Sequence, residues 1–221
     1  MTTNVGIVVF PGTNCERDAA EAMASVGAET TMLWHQDADL QGVDAVIVPG
    51  GFAHGDYLRP GAIAQFSSVM GAISEFAQSG GPVVGICNGF QVLTEAGLLP
   101  GALQKNAGLK FICQPAELEV QTTRSALTSG AEVGQQLSIP INHFEGNYSC
   151  TPDTLAELRA NDQIVLTYAD NPNGSVADIA GVSNLEGNVV GLMPHPERAC
   201  HELLGSTDGA VLLASLVSAS A

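Results

Sequence analysis

The chain has 221 residues, 45% hydrophobic and 14% charged, which supplies apolar matter for one sizeable core and excludes a disordered chain. Seven Lys and Arg stand against 23 Asp and Glu, a net charge of −16 that repels phosphate backbones and anionic lipid and argues against nucleic acid or a membrane surface as partner. The start lacks the basic region of a signal peptide, and the late apolar stretch Ala210 to Val217 is far short of the ~20 residues of a bilayer span, so a cytoplasmic protein is predicted.

Val5 to Phe10 is a continuous apolar run without polar alternation, which predicts a strand covered on both faces of a parallel sheet. A helix follows, with Asn14 as its predicted N-cap, Ala19, Ala20, Met23 and Val26 at helical spacing, and Gly27 as its stop. A strand is expected at Thr30 to Leu33 and another, buried, at Ala45 to Val48, closed by Pro49-Gly50-Gly51. Ile63, Phe66, Val69, Ile73 and Phe76 mark the inner face of a long helix. The apolar strand Val83 to Ile86 then runs straight into Cys87 and a helix over about Gly89 to Ala96.

From Leu118 to Met193 the texture changes to short segments separated by turn signals, with strand-like runs at Ile164 to Tyr168, Val176 to Val182 and Val189 to Met193, read as antiparallel or mixed strands. Thr207 to Val217 closes the chain as an amphipathic helix. The whole predicts an α/β fold: an open, mainly parallel sheet with flanking helices and additional mixed or antiparallel strands in the second half. Without a linker, charge run or internal repeat, residues 1–221 are expected to form a single domain.

The sharpest chemical signal is Gly85-Ile86-Cys87-Asn88-Gly89 at a strand-to-helix junction. It has the spacing of a nucleophile elbow, with Cys87 as nucleophile at the positive end of a helix dipole. The base is expected in Met193-Pro-His-Pro-Glu197, where two prolines would hold the backbone extended and set His195 and Glu197 on one side, base and orienter of a triad. The backbone N–H of Asn88 is one predicted oxyanion donor, with Gly50-Gly51 placed to supply a second. Gln91, one turn beyond Cys87, can point into the pocket toward a polar substrate.

The five cysteines (Cys15, Cys87, Cys113, Cys150, Cys200) include no C-x-x-C pair, the pattern of neither a disulfide framework nor a structural zinc site, and most are expected to be plain buried thiols. His35, His54 and His201 have no partner at metal-ligand spacing, and no metal site is predicted. No phosphate-cradling G-x-x-x-x-G-K-[ST] loop is present, which argues against ATP handling by this chain.

With these residues in view, the chain resembles the class I glutamine amidotransferases, and more narrowly the glutaminase subunits that serve a formylglycinamide-ribonucleotide-amidating synthetase of purine biosynthesis. The resemblance is carried by PGTNCE from Pro11, PGGF from Pro49, GDYLRPGAIA from Gly55, GICNGFQ from Gly85, EGNY from Glu145, NPNGS from Asn171 and MPHPERA from Met193. It implies Cys87 as nucleophile, His195 as base, Glu197 as orienter, Gly51 and Asn88 as oxyanion donors, Gln91 as a contact to glutamine and Phe52 as pocket wall. It also implies no cofactor in this chain. The partners implied are a large synthetase subunit that uses ATP and Mg²⁺, and a small third subunit. Where the family reads PIAHGEGNY, this chain has Asn142 and Phe144 for Ala and Gly. Two other readings stay open: a cysteine hydrolase or amidase of the same fold with another substrate, and a catalytically silent binding subunit.

Overall fold

The computed structural model describes residues 2–220; Met1 and Ala221, the ends of the expected domain, lie outside the described residues. In chain order the elements begin β1 (Asn4–Val9), α1 (Glu16–Ser25), β2 (Glu29–Trp34), β3 (Ala45–Val48), α2 (Ser68–Gln78), β4 (Val83–Ile86) and α3 (Asn88–Glu95). The second half adds β5 (Ala102–Gln104), β6 (Ile112–Val120), β7 (Gln136–His143), β8 (Asn147–Ser149), α4 (Pro152–Ala160), β9 (Ile164–Tyr168), β10 (Ile179–Ser183), β11 (Val189–Leu192) and α5 (Asp208–Ala219).

Nine strands form one sheet in the order β2-β1-β3-β4-β11-β10-β9-β6-β7, parallel from β2 to β11 and antiparallel from β11 to β7. The apolar runs of β3, β4 and β11 are buried at every residue, as strands covered on both faces require. β7 alternates exposed or half-buried with buried positions, the mark of a sheet with one wetter face. Helix α3 packs on β3, β4 and β11, and α1 and α5 pack on each other. Among the described residues no helix is long and apolar enough to cross a membrane.

Several local expectations are corrected. Cys15, not Asn14, is the N-cap of α1, because the chain first closes a turn through the Thr13 N–H on the Phe10 carbonyl. The expected helix face from Ile63 begins only at Ser68; Ala64–Phe66 forms a short 3₁₀ turn that leaves Phe66 82% exposed, while Val69 and Ile73 are buried. The expected strand from Val176 starts at Ile179, since Val176–Asp178 is a 3₁₀ turn with Ala177 at φ 51°. β6 begins before Leu118, at Ile112, and its Pro115 sits where only β7 pairs with it, which spares a ladder bond. Of the five cysteines only Cys15 and Cys87 are buried, and Cys113 is exposed on β6.

The β4–α3 junction depends on its glycines. A Cβ on Gly89 would stand 1.8 Å from the Val48 carbonyl oxygen, and one on Gly85 would stand 2.7 Å from the Gly89 carbonyl. Backbone cannot yield as a flexible side chain can, so Gly89→Ala is expected to destabilise by at least about 3 kcal/mol or prevent folding. Urea denaturation checks this, and a loss under 1 kcal/mol would contradict the packing described.

Candidate active site

Neighbouring strands β4 and β11 run parallel with Ile86 opposite Leu192, so the residues just beyond both emerge side by side at one sheet edge. The Cys87 N–H donates to the Leu192 carbonyl at 2.8 Å and locks the two exits together. Cys87 itself adopts φ 52°, ψ −105°, a conformation that strains a side-chain-bearing residue, and it caps the N-terminus of α3. Its Sγ donates to the Asn142 carbonyl at 3.7 Å.

His195 follows β11, and its N–H donates to the Pro140 carbonyl at 2.8 Å, tying the segment to β7. The prolines do not hold an extended segment as expected: Pro196–Arg198 is a 3₁₀ turn, for which a proline at the first helical position is pre-set. That turn curls Glu197 back so that its Oε1 lies 2.6 Å from His195 Nδ1, with both side chains buried. Burial pulls the imidazole pKa down, but the Glu197 carboxylate and the Cys87 and Cys15 sulfurs outweigh it and hold the ring well above its ordinary value. His195 Nε2 makes no hydrogen bond of regular geometry among the described residues, which leaves it open to the two sulfurs and the cavity.

Gly51 stands at φ +149°, where a Cβ would meet the Asn14 nitrogen at 2.6 Å. It bridges to Thr13 through bonds made by its neighbours, Phe52 N–H to the Gly12 carbonyl and Asn14 N–H to the Gly50 carbonyl. The Gly51 and Asn88 amides have no protein partner among the described residues. The Asn88 side chain faces away from the cavity, accepting from the Ala53 N–H at 3.0 Å and donating to Gln91 Oε1 at 2.9 Å and Asp56 Oδ1 at 3.2 Å. Gln91 reaches the cavity wall with its Nε2 donated to the Glu145 carbonyl, and Phe52, half exposed, forms the rim.

Cys87, Gly51, Phe52, Gln91 and His195 therefore line one cavity of about 250 Å³, while Glu197 and the Asn88 side chain stand behind its wall. The lining also includes residues not singled out as site members from the sequence, Cys15, Asp56 and Arg198 among them. Cys15 enters the cavity floor from α1, and Arg198 Nη2 donates to its Sγ at 3.1 Å. Asp56 lines the wall in a segment where His54, Asp56 and Leu58 all have positive φ. The motifs PGTNCE and GDYLRP contain Cys15 and Asp56, but nothing in the linear order brings either to Cys87. The Phe144 and Asn142 positions also face the cavity, beside His143, whose pKa is pushed down to about 4 by burial and by His195.

Burial raises the Asp56 pKa to about 6, against the lowering Asn88 hydrogen bond, and the Glu145 carboxylate adds to the rise. Charged Asp56 thus opposes folding at neutral pH, and the burden lifts as pH falls through about 6 toward 4. Asp56→Asn is expected to stabilise the chain by on the order of 1 kcal/mol at pH 7.5, allowing for solvent screening, with the gain gone near pH 4. Urea melts at the two pH values check it, and an equal gain at both would contradict the assignment.

Comparison with known proteins agrees with this geometry. The model of the CobB/CobQ-like glutamine amidotransferase domain matches residues 2–208. The phosphoribosylformylglycinamidine synthase subunit PurQ of Rubrobacter xylanophilus is 56% identical over 214 residues, 97% of each chain. The subunit of that name from Prochlorococcus marinus is 51% identical over 216 residues, 97% of this chain and 100% of the relative. A chain in the structure of PurLQS from Thermotoga maritima superposes with a TM-score of 0.92 at 42% identity, covering 99% of each. A match of this extent, on a fold that joins a cysteine elbow to a His–Glu pair, establishes that the chain belongs to the glutamine amidotransferases and, among them, to the PurQ subunits of phosphoribosylformylglycinamidine synthase.

Proposed function

We propose that the chain hydrolyses the side-chain amide of glutamine and delivers the ammonia to a synthetase partner, which uses ATP and Mg²⁺ to convert formylglycinamide ribonucleotide to its amidine. The observation that carries this reading is the strained Cys87 elbow opening beside His195, whose Nδ1 is held 2.6 Å from Glu197. Cys87 Sγ attacks the amide carbon of glutamine and its proton passes to His195 Nε2. The oxyanion that forms is received by the Gly51 and Asn88 amides, both without protein partners among the described residues. Collapse of the tetrahedral intermediate breaks the C–N bond, and imidazolium gives its proton to the departing ammonia. Water then attacks the thioester, loses a proton to His195, and releases glutamate and the Cys87 thiol.

Gln91 and the Phe52 rim shape the pocket for the substrate's length, and Asp56 with Glu145 offers negative charge suited to its α-ammonium group. The nine-stranded sheet joins both halves of the chain, which supports their working as a single domain. Likeness to a chain of PurLQS supports a large synthetase partner and a small third subunit for this chain, and we read the reaction as cytoplasmic.

An ammonia supplier that ran unpartnered would waste glutamine, so the synthetase is expected to accelerate it. Glutamate release is measured while purified synthetase is titrated into the chain, with nucleotide and acceptor added in turn. Each tenfold activation corresponds to about 1.4 kcal/mol of preference for the competent site. Equal rates with and without the partner would favour a free-standing amidase.

A further inference from the structure

Cys15 is the buried thiol to which the hydrolytic mechanism gives no task. It lies in the floor of the catalytic cavity, and a Cβ on Gly50 would stand 3.1 Å from its Sγ and 2.8 Å from His195 Cε1, so glycine at 50 keeps the approach between them open. Cys15 Sγ, a His195 ring nitrogen and a Glu197 carboxylate oxygen all lie within 4.8 Å of one another, and all three residues are buried. Glu197 Oε1 is engaged by His195, but Oε2 is buried with no hydrogen-bond partner among the described residues. A buried carboxylate oxygen left unpaired beside a sulfur and an imidazole makes an S, N, O donor set whose members are all zinc ligands.

Zinc bonds of about 2.0–2.3 Å place tetrahedral donors roughly 3.3–3.8 Å apart, so closure asks for side-chain movements of about 1 Å. Thiolate and carboxylate supply two negative charges for a divalent ion. The Arg198 guanidinium opposes a second cation, yet its N–H donated to Cys15 Sγ at 3.1 Å leaves sulfur lone pairs free, and Asp18 draws on it from 3.3 Å.

We propose that Cys15, His195 and Glu197 form an inhibitory site for a thiophilic divalent cation, zinc by its donor set. The inhibition rests on the triad reading above, because a metal on His195 and Glu197 removes the base and its orienter. The binding itself does not rest on it.

The test uses the metal-free full chain. Co²⁺ serves as the spectroscopic probe, through its sulfur-to-metal charge-transfer band, and Zn²⁺ affinity is read by competition with a chromogenic chelator. One equivalent is expected to bind. Cys15→Ser, which keeps the size of the side chain, should abolish the band and weaken Zn²⁺ by about 100-fold, whereas Cys87→Ala keeps both. Thermal melting verifies that each variant is folded, and Cys15→Ala serves as the second probe should Cys15→Ser fail to fold. A band that survives both Cys15 substitutions, or one lost in Cys87→Ala, overturns the site. Glutamate release that continues at full rate at saturating Zn²⁺ overturns the inhibition. Because the cobalt band is read without turnover, a failure of the triad assignment, shown by a glutaminase-active Cys87→Ala, is told apart from a failure of the metal site.

Discussion

Cys87→Ala is expected to reduce glutamine-dependent amidation by the assembled synthetase by on the order of 10⁴-fold or more, while amidation from added ammonium salts stays within about twofold. The asymmetry follows from the division of labour: the thiol is needed only to release ammonia, and the remaining chemistry belongs to the partner. Stability should change little, because alanine at φ 52° keeps the elbow's strain, whereas Cys87→Gly, equally inactive, should be the more stable of the two by about 1 kcal/mol. Assays with each nitrogen donor, paired with thermal melts, check both parts. Equal losses with glutamine and ammonium would point to failed assembly and remove Cys87 from the chemistry.

Glu197→Gln is expected to lower kcat by about 10² to 10⁴ with little change in KM, because a neutral amide can hold the ring in the wrong tautomer and cannot stabilise imidazolium. The sign of the accompanying pH effect is fixed by the environment of the ring. Burial alone lowers the His195 pKa, and Glu197 is foremost among the groups that reverse this. Without that charge the limb of kcat/KM governed by His195 should move to lower pH. A pH–rate profile measures the shift, and an unmoved limb at wild-type turnover would reduce Glu197 to a structural residue.

The parallel half of the fold was legible because β3, β4 and β11 are covered on both faces, and a strand so buried must be apolar throughout. The same half gave away Cys87 and His195, since each follows an apolar run at a turn marked by glycine or proline. The antiparallel half was harder to read. β6 carries Gln114, Pro115, Glu117 and Glu119, and its pairing with β7 sets Pro115 opposite Pro140, so local propensity opposed what tertiary pairing enforces. Phe66 misled for the opposite reason: its spacing fits a buried helical stripe, but the chain turns before Ser68 and leaves it in solvent.

Among site residues, those joined by short-range geometry could be read from spacing, as with Glu197 two residues after His195. Cys15 could not: it reaches His195 across 180 positions of sequence, through the β1–α1 connection and the gap at Gly50. Asp56 was hidden similarly, since its place in the wall depends on left-handed residues at 54, 56 and 58 that no glycine pattern announces.

The central claim, that Cys87 is the nucleophile toward glutamine, is tested most directly by mapping the site of covalent attachment. The chain is incubated with a glutamine analogue bearing an electrophile in place of the amide, then digested, and the modified cysteine is identified by mass spectrometry. Cys15 shares the cavity, which makes it the stringent internal control, while Cys113 reports unselective alkylation at an exposed thiol. One equivalent on Cys87, blocked by excess glutamine and absent from the other four cysteines, is the result expected; label on Cys15 with Cys87 unmodified would contradict the account.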